Sequence, residues 1–200
     1  MKWYSKRSLN AVFALVCLSC LTCVQAKENC SFSGYTVGGH PVDDLAVYHP
    51  DTGNWYIRSM TGQIVAYPKP WGFSQVIPVP GDYDGDGKTD LAVYNRDTGK
   101  WFIFSLAANA ALAKGTSWGW SDALPVPGDY DGDGRADLAV YYRDTGYWYV
   151  LTMAGAILPV VKGVGDRESV PVPGDYDGDG RDDFAVYHRA TGKWHIQSST

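Results

Sequence analysis

Short apolar stretches recur along this chain at a fixed spacing, with polar turn residues between them. Leu91-Ala92-Val93-Tyr94, Leu138-Ala139-Val140-Tyr141 and Phe184-Ala185-Val186-Tyr187 are each followed by an Asp-Thr-Gly or Ala-Thr-Gly turn and then by a segment led by tryptophan. Those tryptophans, with an earlier one, are Trp55, Trp101, Trp148 and Trp194, spaced by 46, 47 and 46 residues. Segments this short, rich in Val, Tyr, Trp and Ile and bounded by Gly, Pro and Asp, predict β-strands rather than helices. In Trp101-Phe102-Ile103-Phe104 both alternating faces are apolar. Such a strand needs cover on both sides, as small sheets stacked radially provide. Ser105 to Lys114 runs against this pattern with a helix-forming composition. Its counterparts, 59–69 and 152–162, carry Gly, Pro and β-branched residues, so the repeat predicts a hairpin here too.

A unit of about 46 residues holding four short strands has the size of one propeller blade. Asp44-Leu45-Ala46-Val47-Tyr48 begins the same pattern nearer the N-terminus, which makes four units. The predicted fold is all-β: a β-propeller of four-stranded blades, with units at about 35–80, 81–127, 128–173 and 174–200. Four blades is the lower limit of closed propellers. The last unit reaches Thr200 soon after its third strand, while Cys30 to Val37 precedes the first full unit. The predicted closure lends that N-terminal strand to the final blade. A ring left open would expose a sheet edge in need of a partner.

Candidate chemistry sits inside the repeat. PVPGDYDGDG occurs from Pro78, Pro125 and Pro171, each time followed by two variable residues and an aspartate. The copies place Asp82, Asp84, Asp86 and Asp90 in one loop, Asp129, Asp131, Asp133 and Asp137 in the next, and Asp175, Asp177, Asp179 and Asp183 in the last. A hard divalent cation takes many oxygens, and carboxylates on alternate residues of a tight loop converge on one point. Asp82, Asp84, Asp86 and Asp90 are then positions 1, 3, 5 and 9, with the backbone carbonyl of Lys88 at position 7. Gly85 and Gly87 let the backbone curl with positive φ. Close carboxylate pairs repel by about 1 kcal/mol in water and about 4 at an effective dielectric of 20, so an empty loop is loose.

Asp-Gly pairs also mark hairpin turns. A turn needs one such pair, whereas four carboxylates recur at the same offsets in three copies. Calcium is favoured over magnesium because the loop supplies nearly all the ligands, and zinc or copper finds no Cys or His there. Val93, Val140 and Val186 occupy the twelfth positions, where an EF-hand places a bidentate Glu. In the first unit the upstream carboxylate positions are Thr36, Gly38 and His40, so three ions are expected rather than four.

Residues 1–26 read as a secretory signal: Lys2, Lys6 and Arg7, an apolar run from Ala11 to about Cys23, and Val24-Gln25-Ala26 before cleavage. The apolar run is short for a membrane span and no second one follows, which predicts a soluble protein that is secreted, periplasmic or held at the cell surface. A lipid anchor on Cys20 or Cys23 competes, although the flanking residues fit such processing poorly. Removal of the signal leaves Cys30 as the one cysteine of residues 27–200, so that segment forms no internal disulfide. It also removes three of the 17 basic residues and leaves 14 against 22 acidic ones, a formal charge of −8. Three divalent ions bring this to −2, so the acidity belongs mostly to the loops and a nucleic-acid partner is disfavoured.

The units, for example PVPGDYDGDGRADLAVYYRDTGYWYV from Pro125 to Val150, resemble the FG-GAP and VCBS repeats of secreted bacterial proteins and, more distantly, the propeller of integrin alpha chains. The resemblance spans about residues 35–200. It implies a calcium-bearing β-propeller whose Asp loops stiffen blade hairpins, with the aspartates above and the backbone carbonyls of Lys88, Arg135 and Arg181 as ligands. The integrin Gly-Ala-Pro element is missing; Trp71-Gly72 and Trp118-Gly119 echo only its Phe-Gly part, and Val164-Gly165 does so more weakly. Integrin-like partner binding does not follow.

The expected role of calcium is structural: at extracellular affinities, a tenfold excess of ion stabilises each site by about 1.4 kcal/mol. No catalytic constellation emerges. His40, His49, His188 and His195 have no repeated Ser or Cys nucleophile beside them and read as surface or strand histidines. Trp71, Trp118 and Trp120, outside the core strand pattern, are the candidates for exposed aromatics that stack on a sugar or anchor a protein. The favoured reading is a noncatalytic binding or adhesion module for carbohydrate or protein. The alternative is a propeller-type polysaccharide lyase or hydrolase with its acid and base on end loops.

Overall fold

A computed structural model describes residues 30–37 and 40–200, with side chains from residue 44 onward; the signal segment at 1–26 lies outside the described residues. Fourteen strands and no helix are found among the described residues, and they form four antiparallel sheets. The first holds β1 (Cys30–Val37), β2 (His40–His49), β3 (Asn54–Arg58) and β4 (Ile64–Pro70) in that order. The second holds β5 (Val76–Pro78), β6 (Leu91–Asn95), β7 (Lys100–Ser105) and β8 (Ala110–Ser117). The third is β9 (Ala123–Pro125), β10 (Leu138–Tyr142) and β11 (Tyr147–Leu151), and the fourth is β12 (Ser169–Pro171), β13 (Phe184–His188) and β14 (Lys193–Gln197). The sheets follow the predicted period and are blade-like.

Both apolar faces of β7 are covered as its composition demands. Trp101 and Ile103 are buried toward the third sheet, while Phe102 and Phe104 pack toward the first. The helix-rich segment 105–114 is a hairpin: Phe104 pairs with Ala111 and Ile103 with Ala113 across a turn in which Asn109 has φ +48°. An isolated helix of this length is marginal in water, whereas the strand completes a ladder on β7.

Two expectations of strand number are corrected. The third sheet lacks a regular fourth strand; only bridges at Leu151–Ile157 and Trp148–Val161 remain. Pro159 stands between them and has no N–H for a ladder. The N-terminal strand does not complete the last sheet. β1 pairs with β2 from Cys30–Ala46 to Val37–His40, and the fourth sheet has three strands. Pairing with the neighbouring strand closes a far shorter loop than reaching the opposite end of the chain.

The cores lie between sheets. One cluster joins the first sheet to the second, another the second to the third, and a further one the third to the fourth. Each seam is fastened in the same way. The fully buried Trp55, Trp101 and Trp148 donate Nε1–H to the carbonyls of Trp71 (2.7 Å), Trp118 (2.7 Å) and Val164 (3.1 Å). Tyr48, Tyr94 and Tyr141 pack on these indoles at 4.9, 5.1 and 5.0 Å, and their hydroxyls donate to the carbonyls of Phe73, Trp120 and Asp166. A buried aromatic with a polar handle needs such a partner.

Candidate metal centre

Each PVPGDYDGDG segment folds into a loop between two strands of one sheet: β5 to β6, β9 to β10, and β12 to β13. Its first aspartate organises the turn. Asp82 Oδ1 accepts N–H bonds from Gly85 (2.7 Å) and Asp86 (3.2 Å), and Oδ2 accepts from Gly87 (2.7 Å). Asp129 and Asp175 repeat all three bonds in their own loops. The curl requires glycine: Gly85 and Gly87 have φ of +78° and +79°, in the left-handed region that other residues avoid.

The last aspartate ties the loop to the core. Asp90, Asp137 and Asp183 are buried, and their Oδ2 atoms accept the N–H of Tyr83, Tyr130 and Tyr176, each at 3.0 Å. Those tyrosines donate their hydroxyls to the carbonyls of Val79, Val126 and Val172 at the loop entrance. Burial, reinforced by neighbouring aspartates, pushes Asp90 and Asp137 up to about 7. Burial likewise raises Asp131, with Asp133 and Asp129 adding to the effect. Anionic oxygens held at such a cost are a hard donor set, and a cation relieves what the proton otherwise neutralises.

Three of the four predicted aspartates converge in each loop, with ligand atoms within 4.8 Å of one another. The sets are Asp82, Asp84 and Asp86; Asp129, Asp131 and Asp137; and Asp175, Asp177 and Asp183. Asp90, Asp133 and Asp179 lie outside these sets. Asp133 and Asp179 accept the N–H of Arg135 and Arg181 at 2.9 Å, and Asp86 does the same for Lys88. Among the described residues there are three such clusters, and the first sheet contributes none. There β2 runs on through His40 and pairs with β1 where the other sheets have a loop.

The loops also touch one another, a feature that spacing within one repeat does not reveal. The N–H of Ala136 donates to the carbonyl of Asp82 (2.6 Å), and that of Asp182 to Asp129 (2.7 Å). Asp182 returns the contact by accepting the N–H of Asp129 at 2.9 Å, and burial lifts its carboxyl to about 6. Arg135 lies over Gly85 and Arg181 over Gly132, so a Cβ at either glycine would press on a guanidinium stem. A cleft of about 280 Å³ opens beside the row, lined in part by Asp82, Asp129, Arg135 and Asp182.

The aromatics expected to stand free do not. Trp71 and Trp118 are half-buried, and each donates its indole N–H at 3.2 Å to a strand of the following sheet, at the carbonyls of Phe102 and Tyr149. Trp120 is half-buried edge-on to Tyr142 and Tyr149. The stretch that carries them is the link between sheets, which is why it falls outside the strand pattern. Of the histidines, His188 touches Thr191 (3.0 Å) and Asp166 (3.4 Å). Thr191 belongs to an exposed turn, and His188 meets its side-chain hydroxyl there, whereas Asn95 Oδ1 in the equivalent turn of the second sheet accepts the backbone N–H of Thr98.

The family profile described as FG-GAP-like repeat matches residues 82–140 and again 129–186. No curated protein and no solved structure matches the chain. The two matches together span 82–186, more than half of the 200 residues, and take in all three aspartate loops, the strands that follow the first two and the start of the strand after the third. The chain belongs to the FG-GAP-like repeat family.

Proposed function

We propose that this chain is a calcium-stabilised, noncatalytic binding module of the adhesion type, working outside the cell on a carbohydrate or protein ligand. FG-GAP-like repeats suggest an extracellular adhesion-type role, and no helix among the described residues is long and apolar enough to cross a membrane. In this reading residues 1–26 direct export and 27–200 form the repeat domain, its sheets the blades of a propeller-type scaffold. One observation carries it: three hard-oxygen loops stacked edge to edge, each rooted in the core by a buried aspartate.

Calcium would be held by the carboxylates of Asp82, Asp84, Asp86 and Asp90 with the carbonyl of Lys88, and by the equivalent groups at 129–137 with Arg135 and at 175–183 with Arg181. The bound cation supplies positive charge that offsets the repulsion among these oxygens. The chain's own residues hold the loops in register across the sheets. Trp71, Trp118 and Trp120 serve the seams.

Equilibrium dialysis of the chain against calcium tests the metal assignment. The expected uptake is about three ions per chain, with one lost in each of Asp84→Ala, Asp131→Ala and Asp177→Ala. Absence of uptake overturns it. A glycan array run beside a reducing-sugar release assay tests the rest: retention on a glycan or protein without release supports a binding module, and sugar release replaces it with an enzyme.

A further inference from the structure

At the two ends of the row of sheets, positions that are buried elsewhere stand exposed. Leu45 is 43% and Val47 40% exposed, whereas their equivalents Leu91 and Val93 are at 0%. At the far end Trp194 is 44% and Ile196 49% exposed, against 0% for Trp101 and Ile103. Inside the row these two kinds of face meet three times. Trp55 and Ile57 pack on Leu91 and Val93, Trp101 and Ile103 on Leu138 and Val140, and Trp148 and Val150 on Phe184 and Val186.

We propose that the Leu45/Val47 face of one copy docks on the Trp194/Ile196 face of a second copy, a head-to-tail contact between identical chains. The first and the last described sheet each offer one half of a contact the molecule already makes at every internal seam. The halves agree in register, because Leu45 and Val47 alternate on β2 as Leu91 and Val93 do on β6, and Trp194 and Ile196 on β14 as Trp101 and Ile103 do on β7. The apolar surface extends beyond the four residues. Ile64, Val65 and Tyr67 are exposed on β4 at one end, and Tyr176 at the other. Patches of this extent on a single chain mark an interaction surface. A contact that joins two different faces closes into a ring or runs on as a filament. Two copies align eight sheets, the upper end of the usual range of blades in a closed propeller.

Sedimentation velocity of the purified chain, of Trp194→Asp, of Leu45→Asp and of their equimolar mixture decides the matter. The wild type is expected to associate with rising concentration, and each variant alone to dissociate at least about 30-fold more readily, as loss of a buried hot spot does. The mixture is expected to recover a dimer, because the Trp194→Asp copy keeps its Leu45 face and the Leu45→Asp copy keeps its Trp194 face. Ile196→Asp with Val47→Asp repeats the test if circular dichroism shows either first variant unfolded. A wild type that stays monomeric overturns the proposal, and so does a mixture that stays monomeric. The first of these results is also the one expected if the two faces meet within one chain.

Discussion

Replacing Gly99 by alanine separates two costs that glycine avoids in this fold. Gly99 ends the turn between β6 and β7 with φ +66°, and its Cα faces the backbone carbonyl of Gly119, so a Cβ there runs into main chain. The same approach recurs at Gly53 with Gly72 and at Gly146 with Gly165. Gly192 occupies the equivalent turn of the last sheet with φ +69°, but the only atom near its Cβ direction is the Tyr187 hydroxyl at 3.9 Å. Both alanine variants bear the left-handed cost of about 1–2 kcal/mol. Only Gly99→Ala adds the displacement of packed backbone, about 1–3 kcal/mol more. The displaced segment holds Trp118, whose N–H donates to Gly99 and whose carbonyl receives the Trp101 indole at 2.7 Å, so the strain falls on the seam itself. Urea midpoints at unchanged m-value measure both losses. Gly192→Ala should cost about 1–2 kcal/mol and Gly99→Ala about 2–5. Equal losses would show that the close approach contributes nothing and would refute the account of the seam.

Asp182→Ala should alter the pH profile of the metal-free protein. Burial holds that carboxyl at about 6 against an ordinary 3.8, so the stability it lends in acid is lost as pH rises through about 6, and the variant should gain on wild type by about 2–3 kcal/mol between pH 4 and 7. A difference independent of pH, read from urea midpoints, would count against this. Tyr94→Phe deletes the 3.1 Å bond to the Trp120 carbonyl and should cost about 1–2 kcal/mol by the same measurement. Chelation of calcium from a tenfold excess should remove about 4 kcal/mol over three sites, a fall of roughly 8–16 °C in melting temperature, and Asp131→Ala should forfeit more than the one-third share of a single independent site. A melting temperature indifferent to chelator would refute the stabilising role.

The strands and loops were legible because each has a local signal. The alternation in Trp101-Phe102-Ile103-Phe104 demands two covered faces, and Asp-x-Asp-x-Asp with glycines between demands a curled loop. What stayed hidden depended on distance in the chain. Trp71 and Trp118 look free in sequence because their acceptors, Phe102 and Tyr149, lie 31 residues away. The missing strand of the third sheet could not be read from Pro159 alone, since β4 carries Pro68 and Pro70 and still pairs with β3. The destination of β1 could not be read from its residues, since closing the last sheet and pairing with β2 ask for the same strand pattern. Loop-closure entropy, not side-chain identity, favours the neighbour.

The contacts between loops change what a bound ion would do. Were each loop isolated, filling one would leave the next indifferent beyond weak, screened repulsion. Here the Asp82 carbonyl accepts from Ala136, two residues past Gly134 in the next loop, and Asp129 both donates to and accepts from Asp182 in the loop after that. Arg135 and Arg181 each reach back over the preceding loop, so one side chain of every later loop lies against its predecessor. A cation that tightens the second loop therefore fixes one wall of the first and one wall of the third. Filling should be cooperative along the row, with the second site the most strongly coupled. Asp131→Ala should then weaken uptake at both remaining sites, whereas Asp177→Ala should leave the first site nearly unchanged. Calorimetric titration of the two variants distinguishes these outcomes, and identical residual binding in both would show that the loops act alone.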